Sequence, residues 1–557
     1  MRILEIVLFT FGGLWQGIRR DFNLLEIALL AALIFWKAPK LNWLAGWERS
    51  LGRLAGHRAL ACVAVGVLAI GLRIALLPVL SKPYPMVSDE FSHLLVADTL
   101  LAGRLANPSH PLWMHFESLH IVPKPFYVSN FFPGVGATLA MGRWAFGDPW
   151  ISILLLSGIF SGLLCWALQG WIPPRWALFG ALLAMLRFSI GSYWINSFYG
   201  GFLAATGGAL MVGAYARLRC DRSLGQALVF SLGAAVLVLT RPLEGAFFAI
   251  AFVATLPLWR WRISVPIAVI VGLAIAALGG YCYRVTGSPF KTAYNVSQEL
   301  YGWPMAFPWV SPKPVAQRHL EFVNYYRYEA SEHEKVDSPA HYLQYFTFRV
   351  QEYWRFFLGP ALSLPLIMLP FVWRNRRLRV LFAAFGATFL ALMLNGGSMP
   401  HYLAPATAVI MILLVECFRH LRVTPRGLAL AQALPLIMVL VLTLRVGAEN
   451  LHLPYTQSLN FESWCCKVQG NQNKARIAGY LDTVPGQHLV LVRPKIDERK
   501  LFQWIYNAAD IDHSRTVWAR DMGPEANRKL TDYFAGRHLW LVDPNVDPAS
   551  IQQYRSE

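Results

Sequence analysis

Apolar runs of roughly 15 to 22 residues recur along the chain between short polar stretches, the length an α-helix needs to cross a hydrocarbon core. They fall at 3–18, 23–37, 59–80, 149–169, 174–188, 200–217, 225–240, 243–258, 264–283, 352–373, 378–394, 400–418 and 428–445, about thirteen in all. Two long interruptions, 81–148 and 284–351, are polar and aromatic. After about residue 450 the pattern changes to short strand-like runs, His488 to Val492, Thr516 to Trp518 and His538 to Val542, among polar, proline-containing and helix-compatible stretches. No period of about 20 to 50 residues marks a repeat array.

Lysine and arginine fix the orientation, because they gather in cytoplasmic loops. The clusters are Arg53/Arg58, Arg175, Arg217/Arg219/Arg222, Arg260/Arg262, Arg374/Arg376/Arg377/Arg379 and Arg419/Arg422/Arg426. The alternation closes if a further run, 131–147, lies as a juxtamembrane or re-entrant helix. Loops 81–148 and 284–351, the turn 395–400 and everything after about Val446 then share the outer side. The chain divides into 1–58, N-terminal extra helices and a cytoplasmic linker; 59–449, the membrane core; and 450–557, a small soluble α/β domain outside.

Composition agrees with a polytopic helical membrane protein embedded in a bilayer: 55% of the 557 residues are hydrophobic and 15% charged. The net charge of +18 suits anionic lipid, and no zinc-finger spacing, basic helix or RNA-binding signature supports nucleic acid as a partner. The seven cysteines are scattered, several inside apolar runs, so no disulfide framework is implied; the state of adjacent Cys465 and Cys466 is open. The first run carries Glu5 and lacks a small-residue cleavage site, so it reads as a retained helix.

Candidate chemistry centres on Ser88-Asp89-Glu90-Phe91-Ser92-His93, just after the third run. Two adjacent acids at a membrane surface need cations, a metal or substrate nearby. They point in different directions, so one can take a proton from an acceptor hydroxyl while the other anchors a helix. Ordinary capping, with Ser88 as N-cap and acids in the first turn, is the competing account. His110, His115, Glu117 and His120 offer metal ligands without any strong zinc spacing, which leaves room for a divalent metal but names no site. Arg187 and Arg241 end apolar helices on the outer side, where an arginine needs a partner: a phosphate, or for Arg241 an ion pair with Glu244. The aromatic loop 284–351 suits sugar stacking and equally a membrane interface. Asn395 to Pro400 is a glycine-rich turn that allows close backbone approach or a tight hairpin.

The ordered motifs resemble those of membrane glycosyltransferases of the C-type fold, nearest the branch of protein O-mannosyltransferases and lipid A aminoarabinose transferases. Ser88-Asp89-Glu90 is similar to the acidic motif of the first outer loop, and Phe131-Phe132-Pro133-Gly134-Val135-Gly136 to the aromatic entry of the next helix. Gly147-Asp148-Pro149-Trp150, Leu239-Thr240-Arg241-Pro242 and His401-Tyr402-Leu403-Ala404-Pro405 resemble later elements, and Tyr506 to Asp512 resembles bacterial members. The likeness in order and spacing covers about 59–450. Where the aminoarabinose branch carries a phosphate-contacting lysine, this chain has Asn130, with Lys124 six residues upstream.

The resemblance implies an inverting, polyprenyl-phosphate-sugar-dependent glycosyltransferase of a bacterial inner membrane. A lipid, glycan or protein hydroxyl would be the acceptor, on the periplasmic side. Asp89 would be the general base and Glu90 its catalytic neighbour. Arg241, Arg187 and Lys124 would bind the leaving phosphate, and His93, His401 and Tyr402 would be further substrate contacts. The rivals are another lipid-linked transferase and, in a different class, a transporter or flippase. The acids stand in a long loop and no repeat is visible, which favours an enzyme.

Overall fold

The computed structural model describes residues 22–35, 44–221, 223–302, 309–310, 313–334, 336, 338–394, 397, 399–448, 450–453, 464–466, 470–494 and 502–554. The expected first span 3–18, with Glu5, lies outside them, as do Asn395, Gly396 and Ser398 of the glycine-rich turn.

Helices α1 (Asn23–Phe35), α2 (Leu44–Gly56) and α3 (Arg58–Ala75) lead into the first long loop. That loop holds α4 (Ser88–Leu101), the strands β1 (Asn107–Pro108), β2 (Ile121–Val122) and β3 (Phe126–Ser129), and α5 (Pro133–Phe146). The bundle continues through α6 (Pro149–Gln169), α7 (Pro174–Ala184), α8 (Gly201–Leu218), α9 (Leu224–Thr240), α10 (Pro242–Val253) and α11 (Trp261–Thr286). The second long loop holds α12 (Ala293–Tyr301) and α13 (Leu320–Glu334) and runs into α14 (Pro339–Phe357). Next come α15 (Gly359–Ser363), α16 (Leu369–Trp373), α17 (Arg379–Met393), α18 (Thr407–Leu421) and α19 (Pro425–Gly447). The C-terminal part has α20 (Gln472–Thr483), β4 (His488–Val492), β5 (Thr516–Arg520), α21 (Pro524–Tyr533), β6 (His538–Asp543) and β7 (Ser550–Gln553).

Each expected run inside the described residues is met by helix, though not each by one long, unbroken helix. Among the described residues five helices are long and apolar enough to cross alone: α3, α6, α11, Ala404–Leu421 and α19. A sixth candidate, Pro339–Phe357 with Gly359–Trp373, is bent by 98°. The others are shorter or interrupted. Pro242 cannot donate to the helical ladder and separates α9 from α10 at Arg241, and α7 gives way to a π turn at Met185–Ser189.

Helix α5 has 14 residues, about 21 Å at 1.5 Å per residue, too short to span the core by itself. It buries Val135 and Leu139 while Met141, Trp144 and Phe146 stay exposed. Arg73, buried near the end of α3, donates to the Leu80 carbonyl at 2.8 Å and to Asn196 Oδ1 at 2.9 Å. The start of the first long loop is thereby tied to the irregular segment 190–200.

The C-terminal sheet has the order β5-β4-β6-β7, with β4 parallel to both neighbours and β7 antiparallel to β6. Strand side chains alternate between faces. Val490, Val492, Trp518 and Trp540 pack on one side with Ile477 and Leu481 of α20. Leu489, Leu491, Val517 and Ala519 face the other way and share a core with Leu95, Phe116, Ile121 and Tyr127 of the first long loop. The sheet is therefore built onto the loop that carries Asp89.

Candidate functional site

The site begins where α4 does. Val87 is the residue that precedes the helix, not Ser88 as expected. Glu90 sits in the first turn and reaches back: its Oε2 accepts from Met86 N at 2.8 Å and Val87 N at 3.1 Å, while Oε1 accepts from Phe198 N at 3.2 Å. A buried carboxylate held by three backbone N–H groups fixes the helix start against segment 190–200. Glu90 is thus placed as an anchor.

Asp89 points the other way and is 23% exposed, with one oxygen against Nδ1 of His120. The Ser88 hydroxyl, freed from capping, lies 2.8 Å from that same nitrogen, and Nε2 of His120 is 2.9 Å from the Tyr325 hydroxyl. Burial pushes the Asp89 carboxyl up, but the charge and hydrogen bond of His120 more than offset this and hold it below the usual carboxylate range. Burial draws His120 down, and Asp89 more than restores it, leaving the imidazole above its ordinary value. The two form an ion pair. His93, one turn along α4, is dominated by burial and falls to about 3, so its ring is neutral. It stacks on Phe131 at 4.6 Å, and its buried Nδ1 has no hydrogen-bond partner among the described residues. The carboxamide of Asn130, also buried, is equally unpartnered there.

Glycines bring the next motif in. A Cβ on Gly134 would come 2.8 Å from the Leu239 carbonyl oxygen, and one on Gly136 2.9 Å from that of His93. Only glycine lets α5 pack this closely on the end of α9 and on α4. Arg241 stands at that end, in the break before Pro242, with its guanidinium 3.7 Å above the ring of Tyr402. Its charge acts on Asp89, His93 and His401. Glu244, buried one turn into α10, acts on Arg241 through space, and no direct ion pair joins them among the described residues. Nδ1 of His401 lies 3.0 Å from the Tyr193 hydroxyl. Tyr294 closes the group, its ring 5.7 Å from both Phe131 and Phe132.

The structure thus gathers Asp89, His93, Arg241, His401 and Tyr402 and sets Glu90 behind them, but does not bring Lys124 or Arg187 to the group. Lys124 is exposed and lies over Trp113 at 4.4 Å. The guanidinium of Arg187 donates to the Phe356 carbonyl at 2.8 Å and to that of Arg355, and stacks 4.2 Å from Trp464. Arg445 covers the same indole at 4.5 Å, and the neighbouring Cys465 and Cys466 are joined as a disulfide.

The suggested metal ligands are dispersed. His110 meets Asp512, His115 the Arg520 carbonyl, Glu117 the side chains of Tyr301, Arg318 and His319, and His120 meets Asp89. No group of three potential ligands occurs among the described residues. Around Asp89, Glu90 is turned into backbone N–H groups and His120 is engaged with the carboxylate itself.

Residues the sequence did not single out are Tyr193, Tyr199, whose ring lies 5.1 Å from that of His401, and Glu329, whereas Tyr294 and Tyr325 stood only among the aromatics of loop 284–351 and Asn130 only in the place of the missing lysine. Tyr325 and Glu329, four apart on one helix, carried a usable signal in their spacing. Beside Leu403 an apolar cavity of about 380 Å³ opens between α14, α17 and α18, lined by Tyr353, Trp354, Phe357, Phe382, Phe385 and Leu413 among others.

No family model matches the chain, and no curated protein matches it. Among solved structures, the Archaeoglobus fulgidus oligosaccharyltransferase in the apo form is similar over 87% of this chain and 69% of its own, at 8% identity and a TM-score of 0.46. The complex of the same organism's oligosaccharyltransferase AglB with an inhibitory peptide and a dolichol-phosphate is similar over 90% and 70%, at 10% identity and a TM-score of 0.45. ArnT from Cupriavidus metallidurans bound to undecaprenyl phosphate is similar over 86% of this chain and 92% of its own, at 14% identity and a TM-score of 0.48. An oligosaccharyltransferase and ArnT thus stand among the structures this chain is similar to.

Proposed function

We propose that this chain is a membrane glycosyltransferase that moves a sugar from a polyprenyl-phosphate carrier to an acceptor hydroxyl in one inverting displacement. The observation that carries this reading is a convergence. Asp89, His93, Arg241, His401 and Tyr402, far apart in sequence, meet where His93 Nδ1 and the Asn130 carboxamide are buried without partners among the described residues. Buried polar groups are normally satisfied, so a polar substrate belongs there. Asp89 takes the acceptor proton as the hydroxyl attacks the anomeric carbon, and the carrier phosphate leaves with the bonding electrons. Arg241 is the cation at hand for the leaving phosphate, its fork suited to two oxygens. Tyr402 beneath it holds the guanidinium flat, and the apolar cavity beside Leu403 takes the carrier's hydrocarbon chain. In this reading both long loops and the C-terminal part face the periplasm of a bacterial inner membrane.

The test uses purified protein with polyprenyl-phosphate-linked mannose and aminoarabinose, reading release of polyprenyl phosphate. Asp89→Asn keeps the shape and removes the base, so turnover falls about 10²- to 10⁴-fold with thermal stability little changed. Glu90→Gln does the reverse: it weakens the three backbone contacts and lowers stability by about 1–3 kcal/mol while leaving the chemical step less affected. Near-wild-type turnover by Asp89→Asn overturns the assignment. Mass spectrometry of envelope glycans and glycoproteins from a deletion strain would name the sugar and acceptor.

A further inference from the structure

Resting on the reading just given, we propose that Asp89 does not work alone: His120, Tyr325 and Glu329 form a relay that takes charge from the catalytic carboxylate to α13 in the second long loop. The groups follow one another in space. Asp89 meets Nδ1 of His120, and Nε2 on the far side of that ring is 2.9 Å from the Tyr325 hydroxyl. Glu329 stands four residues on, one turn further along α13, and its carboxylate acts on the Tyr325 hydroxyl. Glu329 is 2% exposed, and its charge acts on His120. A packed scaffold holds the line: Phe131 lies 5.6 Å from the His120 ring, and the Ser92 hydroxyl donates to the His120 carbonyl at 2.6 Å. The groups facing His120 are Ser88, Asp89 and His93 from α4 and Tyr325 and Glu329 from α13; Arg241 acts on the pair through Asp89 and His93.

The arrangement answers a chemical difficulty. A carboxylate paired with an imidazolium is a weak base, because taking up a proton costs it the ion pair. The penalty falls if the imidazolium can give up its own proton in the same event. As the acceptor oxygen bonds to the anomeric carbon and the sugar–phosphate bond breaks, the acceptor proton goes to the second oxygen of Asp89. His120 then passes its Nε2 proton to the Tyr325 oxygen while the Tyr325 proton moves to Glu329. Asp89 and Glu329 end protonated and His120 neutral with its Nδ1–H retained, so one proton has entered from the acceptor and the net negative charge of the group is neutralised by it. Tyr325 and Glu329 touch no substrate and act through His120.

Tyr325→Phe removes the hydroxyl link and keeps the ring. It is expected to lower kcat about ten- to a hundredfold with donor KM within about twofold of wild type. Glu329→Gln removes the charge that supports the imidazolium, so the alkaline limb of the kcat profile moves to lower pH. A second readout is independent of turnover: in histidine-labelled protein the NMR titration of His120, assigned with His120→Asn, should move to lower pH in Glu329→Gln. If Glu329→Gln does not fold, Tyr325→Phe carries the test. Wild-type kcat and pH profile in Tyr325→Phe overturn the relay and leave the glycosyltransferase reading standing. A wild-type protein that titrates as expected but transfers from neither probe donor overturns that reading, and the relay as a catalytic device with it.

Discussion

At the scale of single residues, the arrangement turns on which cation meets which anion. Arg241 was open to two accounts, a phosphate ligand or the partner of Glu244. The structure places its guanidinium over Tyr402 and leaves Glu244 acting only through space. Arg241→Lys keeps the charge but loses the planar fork and its stacking on the ring, so donor KM should rise with part of kcat retained, whereas Arg241→Ala should lose most activity. Glu244→Gln should leave expression and donor affinity near wild type. Steady-state kinetics and detergent thermal unfolding separate the accounts: an Arg241→Ala protein that is unstable yet keeps donor affinity makes the arginine structural. Arg187 shows why depth in an apolar run is a poor guide to role. Its guanidinium serves backbone carbonyls and the Trp464 indole, which satisfies an arginine as well as a phosphate does.

At the scale of elements, the site exists because helix ends meet. The end of α9, the start of α4, the turn into α5 and the short turn at Pro400–Tyr402 each contribute one or two side chains, and small residues set how closely they approach. Gly136→Val tests this. Its side chain would collide with the His93 carbonyl and with Val96, pushing α5 from α4 and widening the gap between Phe131 and His93. Overpacking of this kind costs about 1–3 kcal/mol. Both the thermal midpoint and kcat should fall, and a variant with wild-type values of both would show that the close approach is dispensable. The bent pair at Leu358 and the break at Arg241 belong to the same class of feature: interrupted helices tolerated where they line a cavity or pack within protein.

At the scale of the whole molecule, two predictions concern how the parts lie. In the proposed orientation Tyr328 and the tail are outside and Arg376 inside. Cysteines placed at 328 and 376, in a background cleared of accessible native thiols, should be labelled by an impermeant reagent in intact spheroplasts at 328 alone; labelling at 376 but not 328 would invert the arrangement. The C-terminal sheet docks on α4 through Lys474, whose ammonium is buried over the Phe91 ring at 4.3 Å and donates to the Trp504 carbonyl at 2.8 Å. Burial pulls Lys474 from 10.5 down to about 7. Between those values the unfolded chain binds the proton and the folded protein does not, so stability should rise as pH climbs from about 7 towards 10.5 and stay flat below 7. Thermal midpoints in detergent at pH 7, 8 and 9 should show that rise, and Lys474→Met should flatten it and be the more stable protein at pH 7.

Much of this was already local information. Runs of apolar side chains dictate helices wherever they occur, so α3, α6, α8, α11 and α19 fall where hydropathy places them, and Asp89, Arg241 and His401 stand at run ends that sequence spacing exposes. Short apolar runs between polar stretches marked β4 to β6 as strands. Partner choice is not local. That His120, first noticed as one of several scattered histidines, closes on Asp89, that Glu90 spends both oxygens on backbone N–H groups, and that Lys124 lies over Trp113 all depend on which loops the bundle brings together. Where a run bends, as after Phe357, or passes into a π turn, as at Met185–Ser189, is likewise not readable from hydropathy. Hydrophobic length is a sum over neighbours in sequence, whereas the pairing of charges is a property of neighbours in space, and only the tertiary structure supplies those.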